Sequence, residues 1–237
     1  MPNRKPILKD GQDRRDLPTY TVLEAATYLG ISPRTASYWF EKSNNILTPS
    51  GRTGSIALLS FNDLTEAYVL SLLTKYYDFG LVKLKQIVNN AKAETGLARP
   101  LIAADLKVVL GQLILDKPAR GRRVRQAVDL SNRNLIFPQF VDQLGKRIVR
   151  DGKSAPSRIF PWRLVKGDDE SRPVSVDPDI HSGCLVVTGT RIPVTVLWGK
   201  FNRGRTEEDL AKSYQISTEA VQKALAHIAR PIHKKAA

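Results

Sequence analysis

Apolar positions recur with a helical period near both ends of the chain. From Tyr20 to Phe40, YTVLEAATYLGISPRTASYWF, the residues Val22, Ala25, Ala26 and Leu29 fall on one stripe and predict a short helix with one buried face. Thr21 is placed to cap it, with Glu24 completing a capping box. Gly30 ends it, since glycine enters left-handed backbone cheaply. Ser32 offers a second cap and Pro33 the first helical position, where a missing N–H costs little. In this second helix Ala36, Trp39 and Phe40 face inward, and Arg34, Thr35, Ser37 and Tyr38 face out, with Lys42 just beyond. Two short helices, a tight turn and a basic outer face suit a helix-turn-helix entering a major groove; a helical hairpin within a core is the alternative.

Next, Ile46 and Leu47, a Gly51-Arg52-Thr53-Gly54 tip and Ile56 to Leu59 read as a two-stranded hairpin. Arg52 and Thr53 at such a tip would form a wing against a phosphate backbone. Asn62 or Asp63 caps a helix to about Tyr77, apolar on most of its circumference, and Asp78-Phe79-Gly80 breaks it. Leu81, Leu84, Ile87 and Val88 open a further amphipathic helix.

The texture changes from Arg99 to about Gly167. Leu106, Val108 and Leu110 with the LILD run suggest a hairpin, residues 117–125 a basic loop, and Ala127 to Phe137 an extended stretch. Val141, Leu144 and Ile148 mark a helix with Lys146, Arg147 and Arg150 outside, and a strand runs from Pro156 to Val165. The polar GDDESRP run from Gly167 is a linker.

Beyond it, Leu185 to Val187 pairs with Arg191 to Pro193 across Thr188-Gly189-Thr190. Val194, Leu197, Trp198 and Phe201 line one face of the following helix. Thr206 caps another, with Leu210 and Tyr214 inward, and Ser217 caps the last, carrying Val221, Ala224, Leu225 and Ile228 at i, i+3, i+4, i+7. This is a second helix-turn-helix. Arg191 either anchors its turn by bonding nearby carbonyls or meets a partner carboxylate.

Charge narrows the function classes. Lys and Arg number 37 against 23 Asp and Glu, a formal net charge of +14, and a strongly basic chain binds nucleic acid readily. The first nineteen residues read as a mobile basic arm. No apolar run spans a bilayer, which leaves no membrane contact. Cys184 is the single cysteine, so an intrachain disulfide is excluded, and an H-x-x-C run with two remote histidines gives no metal site. No paired carboxylates beside His, no nucleophile motif and no phosphate-cradling glycine loop point to catalysis, so neither catalytic residues nor a cofactor are expected.

The expected fold is therefore mainly α with small β elements: an arm over 1–19, a winged helix-turn-helix over 20–95, a middle α/β segment over 96–170 and a C-terminal helix-turn-helix with β-hairpin over 171–232. The first unit, through YTVLEAATYLGISPRTASYW, the Gly-Arg wing with F-N-D-L after it, and D-F-G-L-V-K-L-K-Q-I, resembles the DNA-binding domain of the MerR superfamily. The C-terminal unit is similar to the domain-of-unknown-function family 433. Asp177-Pro178, Gly183, the G-T-R-I-P-V run from Gly189, Gly204, T-E-E-D-L from Thr206, and Tyr214 carry that likeness; Cys184 departs from the family's usual small or polar residue followed by Pro. Together they resemble one group of VapB-type antitoxins of bacterial toxin–antitoxin modules. That resemblance implies a cytoplasmic homodimer that binds double-stranded DNA at its own promoter and neutralises a PIN-like ribonuclease toxin. Arg34, Thr35, Ser37, Tyr38, Lys42, Arg52 and Thr53 would meet DNA, and Arg191, Trp198, Phe201 and Tyr214 a partner or second subunit. A MerR-like regulator without a toxin, or an interaction protein that does not bind DNA, is the alternative.

Overall fold

The computed structural model describes residues 12–44, 46–77, 80–103, 144–161 and 171–229. The chain is mainly α-helical with small antiparallel sheets. Strand β1 (Tyr20–Thr21) leads straight into α1 (Val22–Leu29), and α2 (Pro33–Phe40) follows after a short turn. Thr21 and Glu24 form the reciprocal capping box, Gly30 closes α1 at φ 63°, and the Ser32 hydroxyl accepts from the Thr35 N–H. Each is the device expected from its residue type.

The hairpin differs from its sequence pattern. Its strands are β2 (Gly51–Thr53) and β3 (Ile56–Leu59), and β1 adds to the other edge of β3, opposing Tyr20 to Leu59 and Arg52 to Ala57. Ile46 and Leu47 precede it as buried core residues of the α2–β2 loop, because two adjacent apolar side chains find cover under Trp39 rather than in a strand; the Leu47 N–H donates to the Trp39 carbonyl at 2.9 Å. The tip is therefore Gly54-Ser55, and Arg52 lies within a strand.

Helix α3 (Phe61–Tyr77) is capped by Ser60 instead of Asn62 or Asp63. The Ser60 hydroxyl accepts from the Asp63 N–H at 3.1 Å and the Asp63 carboxylate from the Ser60 N–H at 2.9 Å, a capping box that starts before either expected cap. Its apolar circumference is covered on most sides, as the pattern implied, with α4 (Leu81–Thr95) alongside. Asp78 and Phe79 lie outside the described residues, as do the expected elements at 106–110, 117–125 and 127–137 and most of the expected linker.

The expected helix around Leu144 is a single turn over 144–147 that gives way to β4 (Ile148–Arg150), paired with β5 (Pro156–Ile159). Arg147 is buried, and Arg150 folds inward to donate to the carbonyls of Ile102, Ala103 and Ser154. A helical reading placed both in water; Arg150 instead satisfies loop carbonyls, and Arg147 lies in the interior. Residues 12–19 are likewise fastened rather than free. Leu17 is buried, Arg15 pairs with Asp13 and Asp151, each at 2.6 Å, and Asn62 donates to Asp16.

In the C-terminal segment β6 (Val174–Ser175) pairs with β7 (Val186–Val187), and a bridge from Val186 to Pro193 closes the expected G-T-R-I-P turn. Helices α5 (Val194–Phe201), α6 (Glu207–Tyr214) and α7 (Thr218–Ile228) follow, the last two capped by Thr206 and Ser217. Helix α7 packs on α5 and α6 and also on α1. One hydrophobic cluster consequently runs from Tyr20 through α3 and α4 to Ile228. Among the described residues no helix is long and apolar enough to cross a membrane.

Candidate nucleic-acid interface

Ala36, Trp39 and Phe40 anchor α2 in the core, Trp39 wholly buried. That fixes which residues remain outside. Arg34, Ser37 and Lys42 are exposed, while Thr35 and Tyr38 are half-buried. The Thr35 hydroxyl lies 2.7 Å from that of Ser32, so it serves the cap, and Tyr38 leans on the core. The surface therefore offers Arg34, Ser37, Lys42 and the upper edge of Tyr38, with Glu41 as its one carboxylate, held by the Asn44 amide at 2.9 Å.

Arg52 takes a role the sequence did not suggest. Its guanidinium Nη2 donates to the Phe40 carbonyl at 2.7 Å, placing a cation on an orphan carbonyl at the C-terminal end of α2. The hairpin is thus bolted to the helix it follows. Thr53 is exposed opposite Ile56, an aliphatic side chain left 60% exposed beside the tip.

The hairpin's root is held by a second device. The Asp63 carboxylate accepts from the backbone N–H groups of Ser50 and Ser60 and pairs with Arg99. Arg99 also donates to the Ser50 hydroxyl at 2.9 Å and to Glu66 at 3.3 Å. Glu66 is buried on α3; loss of solvent pushes its carboxyl up to about 7, a rise that Arg99 only partly opposes. Sequence reading missed this cluster because Arg99 comes 33 residues after Glu66. The S-x-x-D spacing at Ser60 was the one signal available.

At the other end of the chain the four expected partner residues do not form one group. Trp198 and Phe201 stack with centroids 6.3 Å apart, Phe201 emerging at the end of α5 where the helix overruns its cover. Tyr214 is half-buried under the Lys200 ammonium, 4.8 Å above its ring. Arg191 is exposed and bonds no carbonyl of its turn. Thr190 does that work, its hydroxyl donating to the Val187 carbonyl at 2.8 Å and accepting from the Ile192 N–H at 3.0 Å. The outer face of α7 is self-neutralised: Lys223 pairs with Glu219, and Gln222 donates to Glu207. Cys184 is half-buried, which pushes its thiol up, and among the described residues no three His, Cys, Asp or Glu gather as metal ligands.

The fold is shared with a known protein. The crystal structure of Rv2018 from Mycobacterium tuberculosis superposes with a TM-score of 0.62 at 23% identity, covering 88% of this chain and 98% of that one. At that identity the likeness is one of fold alone. No curated protein matches the chain. The segment from β6 into α7 matches a family described as a protein of unknown function, DUF433, and residues 174–227 are a DUF433 domain.

Proposed function

We propose that this protein is the DNA-binding antitoxin of a toxin–antitoxin module, which represses its own promoter as a homodimer and neutralises a PIN-like ribonuclease. The observation that carries the reading is the outward face of α2. Arg34 and Ser37 stand in solvent on a helix whose opposite face is sealed, Lys42 is exposed just beyond its end, and the adjoining hairpin is tied to that helix through Arg52. In this reading α1 and α2 are a MerR-like helix-turn-helix. Arg34, Ser37 and Tyr38 meet base edges and phosphates, Thr35 orders the helix start, and Lys42, Thr53 and the tip of the hairpin follow the neighbouring backbone. Arg52 acts through α2, whose last turn it holds.

One such helix reads only a few base pairs, so a two-fold dimer on paired half-sites supplies the remaining specificity. The DUF433 domain then offers the surface for the toxin or the second subunit, with Trp198, Phe201, Tyr214 and Arg191 as contacts. A fold does not determine a function, and the toxin enters by resemblance to antitoxins of this build.

Titration of a labelled duplex from the region upstream of the gene tests the DNA half. Binding that falls with salt and favours that duplex over a scrambled one is expected, and Arg34→Ala should weaken the specific complex by about 1–3 kcal/mol. Co-purification with the product of the adjacent reading frame, and loss of that product's ribonuclease activity in the complex, tests the other half. A protein that binds neither would be an interaction protein of another kind.

A further inference from the structure

The described arginines divide into two sets. Arg15, Arg99 and Arg158 are bound to carboxylates, Arg52 and Arg150 to backbone carbonyls, Arg14 to Asp179, and Arg172 lies over the Phe160 ring. Buried Arg147 belongs with them. Arg34, Arg191, Arg203 and Arg205 remain, all exposed, with no ion pair or side-chain hydrogen bond among the described residues. One of these four is on α2. The other three are in the DUF433 domain.

Arg203 and Arg205 sit in the α5–α6 turn, where every residue from Lys200 to Thr206 is exposed. Between Arg191 and Arg205 there are four cations and no carboxylate. The turn is rigid. The Arg203 N–H donates to the Lys200 carbonyl at 3.0 Å, the Gly204 N–H to the Phe201 carbonyl at 2.9 Å, and the Arg205 N–H to the Lys200 carbonyl at 3.3 Å. Gly204 between the two arginines has a φ of 88°, so the chain reverses there at little cost. The next carboxylates along the chain, Glu207, Glu208 and Asp209, occupy the first turn of α6, where they complement its dipole; Glu207 is further held by Gln222. Among the described residues no carboxylate pairs with Arg203 or Arg205.

We infer that the α5–α6 turn, with Arg203 and Arg205 as its contacts and Lys200 beside them, is a second binding element for the sugar–phosphate backbone of duplex DNA. Unpaired guanidinium groups on a pre-ordered turn suit phosphate oxygens, which need charge and donors but no groove shape. The aromatic neighbours Trp198 and Phe201 stack on each other, so neither is an open platform on both faces for an unstacked base. The self-paired face of α7 is not the contact; the turn before α6 is. The inference rests on the DNA-binding reading above and extends the footprint beyond α2.

The test is the salt dependence of affinity, read by fluorescence anisotropy on the promoter duplex and on a scrambled duplex. Each phosphate contact contributes about 0.9 to the slope of log affinity against log salt, so Arg203→Gln with Arg205→Gln should flatten that slope by about 2 on both duplexes. Both side chains are exposed, and an unchanged melting curve verifies the fold. The control, Lys83→Gln with Lys153→Gln, removes the same charge elsewhere and should leave the slope as it was. An unaltered slope in the arginine pair, the result an acidic protein partner would also give, overturns the inference, and so does an equal flattening in the control. Wild-type protein that binds neither duplex refutes the DNA-binding reading itself, and this inference with it; a response of Arg34→Ala alone leaves that reading standing without it.

Discussion

The Nε2–H of His227 donates to the carbonyl of Tyr28 at 2.8 Å, across 199 residues of chain. That carbonyl belongs to the last turn of α1, where helix geometry leaves acceptors without an intrahelical donor. The closing glycine serves its neighbours, since the Gly30 N–H reaches the carbonyls of Ala26 and Thr27. The final helix of the chain thus completes the first.

His227→Ala should accordingly destabilise the protein by about 1–3 kcal/mol, the cost of a buried acceptor left without its donor. Urea denaturation measures it. The structure also expects faster amide exchange in α1 and α7 than in α4, which the contact does not touch. Uniform change across the three helices would show that the bond does not link the ends.

Gly183 lies where no side chain fits. A Cβ built there meets the Tyr20 hydroxyl oxygen at 1.8 Å, and the backbone has a φ of 81°. Gly183→Ala should cost at least about 2 kcal/mol through left-handed backbone and overlap together. Tyr20→Phe removes the nearest atom, so the double variant should lose less than the sum of the singles. Strict additivity in thermal melts would place the strain elsewhere.

Glu66 supplies a pH dependence with a definite sign. Burial raises its carboxyl from 4.5 to about 7 in the folded chain. Between those values the native state holds a proton that the unfolded state has released, so stability falls as pH rises through this window and levels off above it. Glu66→Gln removes the titration. It should gain on the wild type by up to about 3 kcal/mol at pH 8, at 1.36 kcal/mol per unit, with the gain vanishing below about pH 4.5. Melts across that range decide; a gap that ignores pH would mean Glu66 stays ionised beside Arg99.

Arg52 and Arg34 should separate cleanly. Arg52→Met breaks the bond to the Phe40 carbonyl, so it should cost about 1 kcal/mol of stability and weaken binding to every duplex alike. Arg34→Ala, on an exposed side chain, should leave the melting temperature in place and lower preference for the promoter sequence. Identical behaviour of the two variants would contradict the division of labour between hairpin and helix.

Local chemistry explains which features were legible beforehand. The caps at Thr21, Ser32, Thr206 and Ser217, the glycine stop at Gly30 and the buried stripes of α1, α2 and α7 depend on residues within four positions of each other, and each stood in the sequence. What escaped involved distant partners. Arg52, Arg99 and Arg150 read as surface charge until the carbonyls and carboxylates they satisfy are brought to them by the fold. Ile46 and Ile148 show why short apolar runs mislead: one entered the core from a loop and the other from a strand, with the same pattern that would serve a hairpin or a helix. Of the candidate interface, Arg34 and Ser37 were visible as the polar side of an amphipathic helix with Lys42 just beyond it, while the turn around Gly204 drew notice only once its arginines were seen to pair with no carboxylate among the described residues.

The shared core has a consequence for biosynthesis. Residues 20–103 leave the ribosome well before residues 218–228 exist, and during that interval α1 has α2, α3 and β3 for cover but lacks the last helix and a donor for its last turn. Helix α1, on which α2 packs, gains its last contacts only after the final helix emerges and docks. A messenger cut short upstream of Thr218 would therefore yield a chain with every residue of α2 in place but the last turn of α1 unfinished, a weak point open to quality-control proteases.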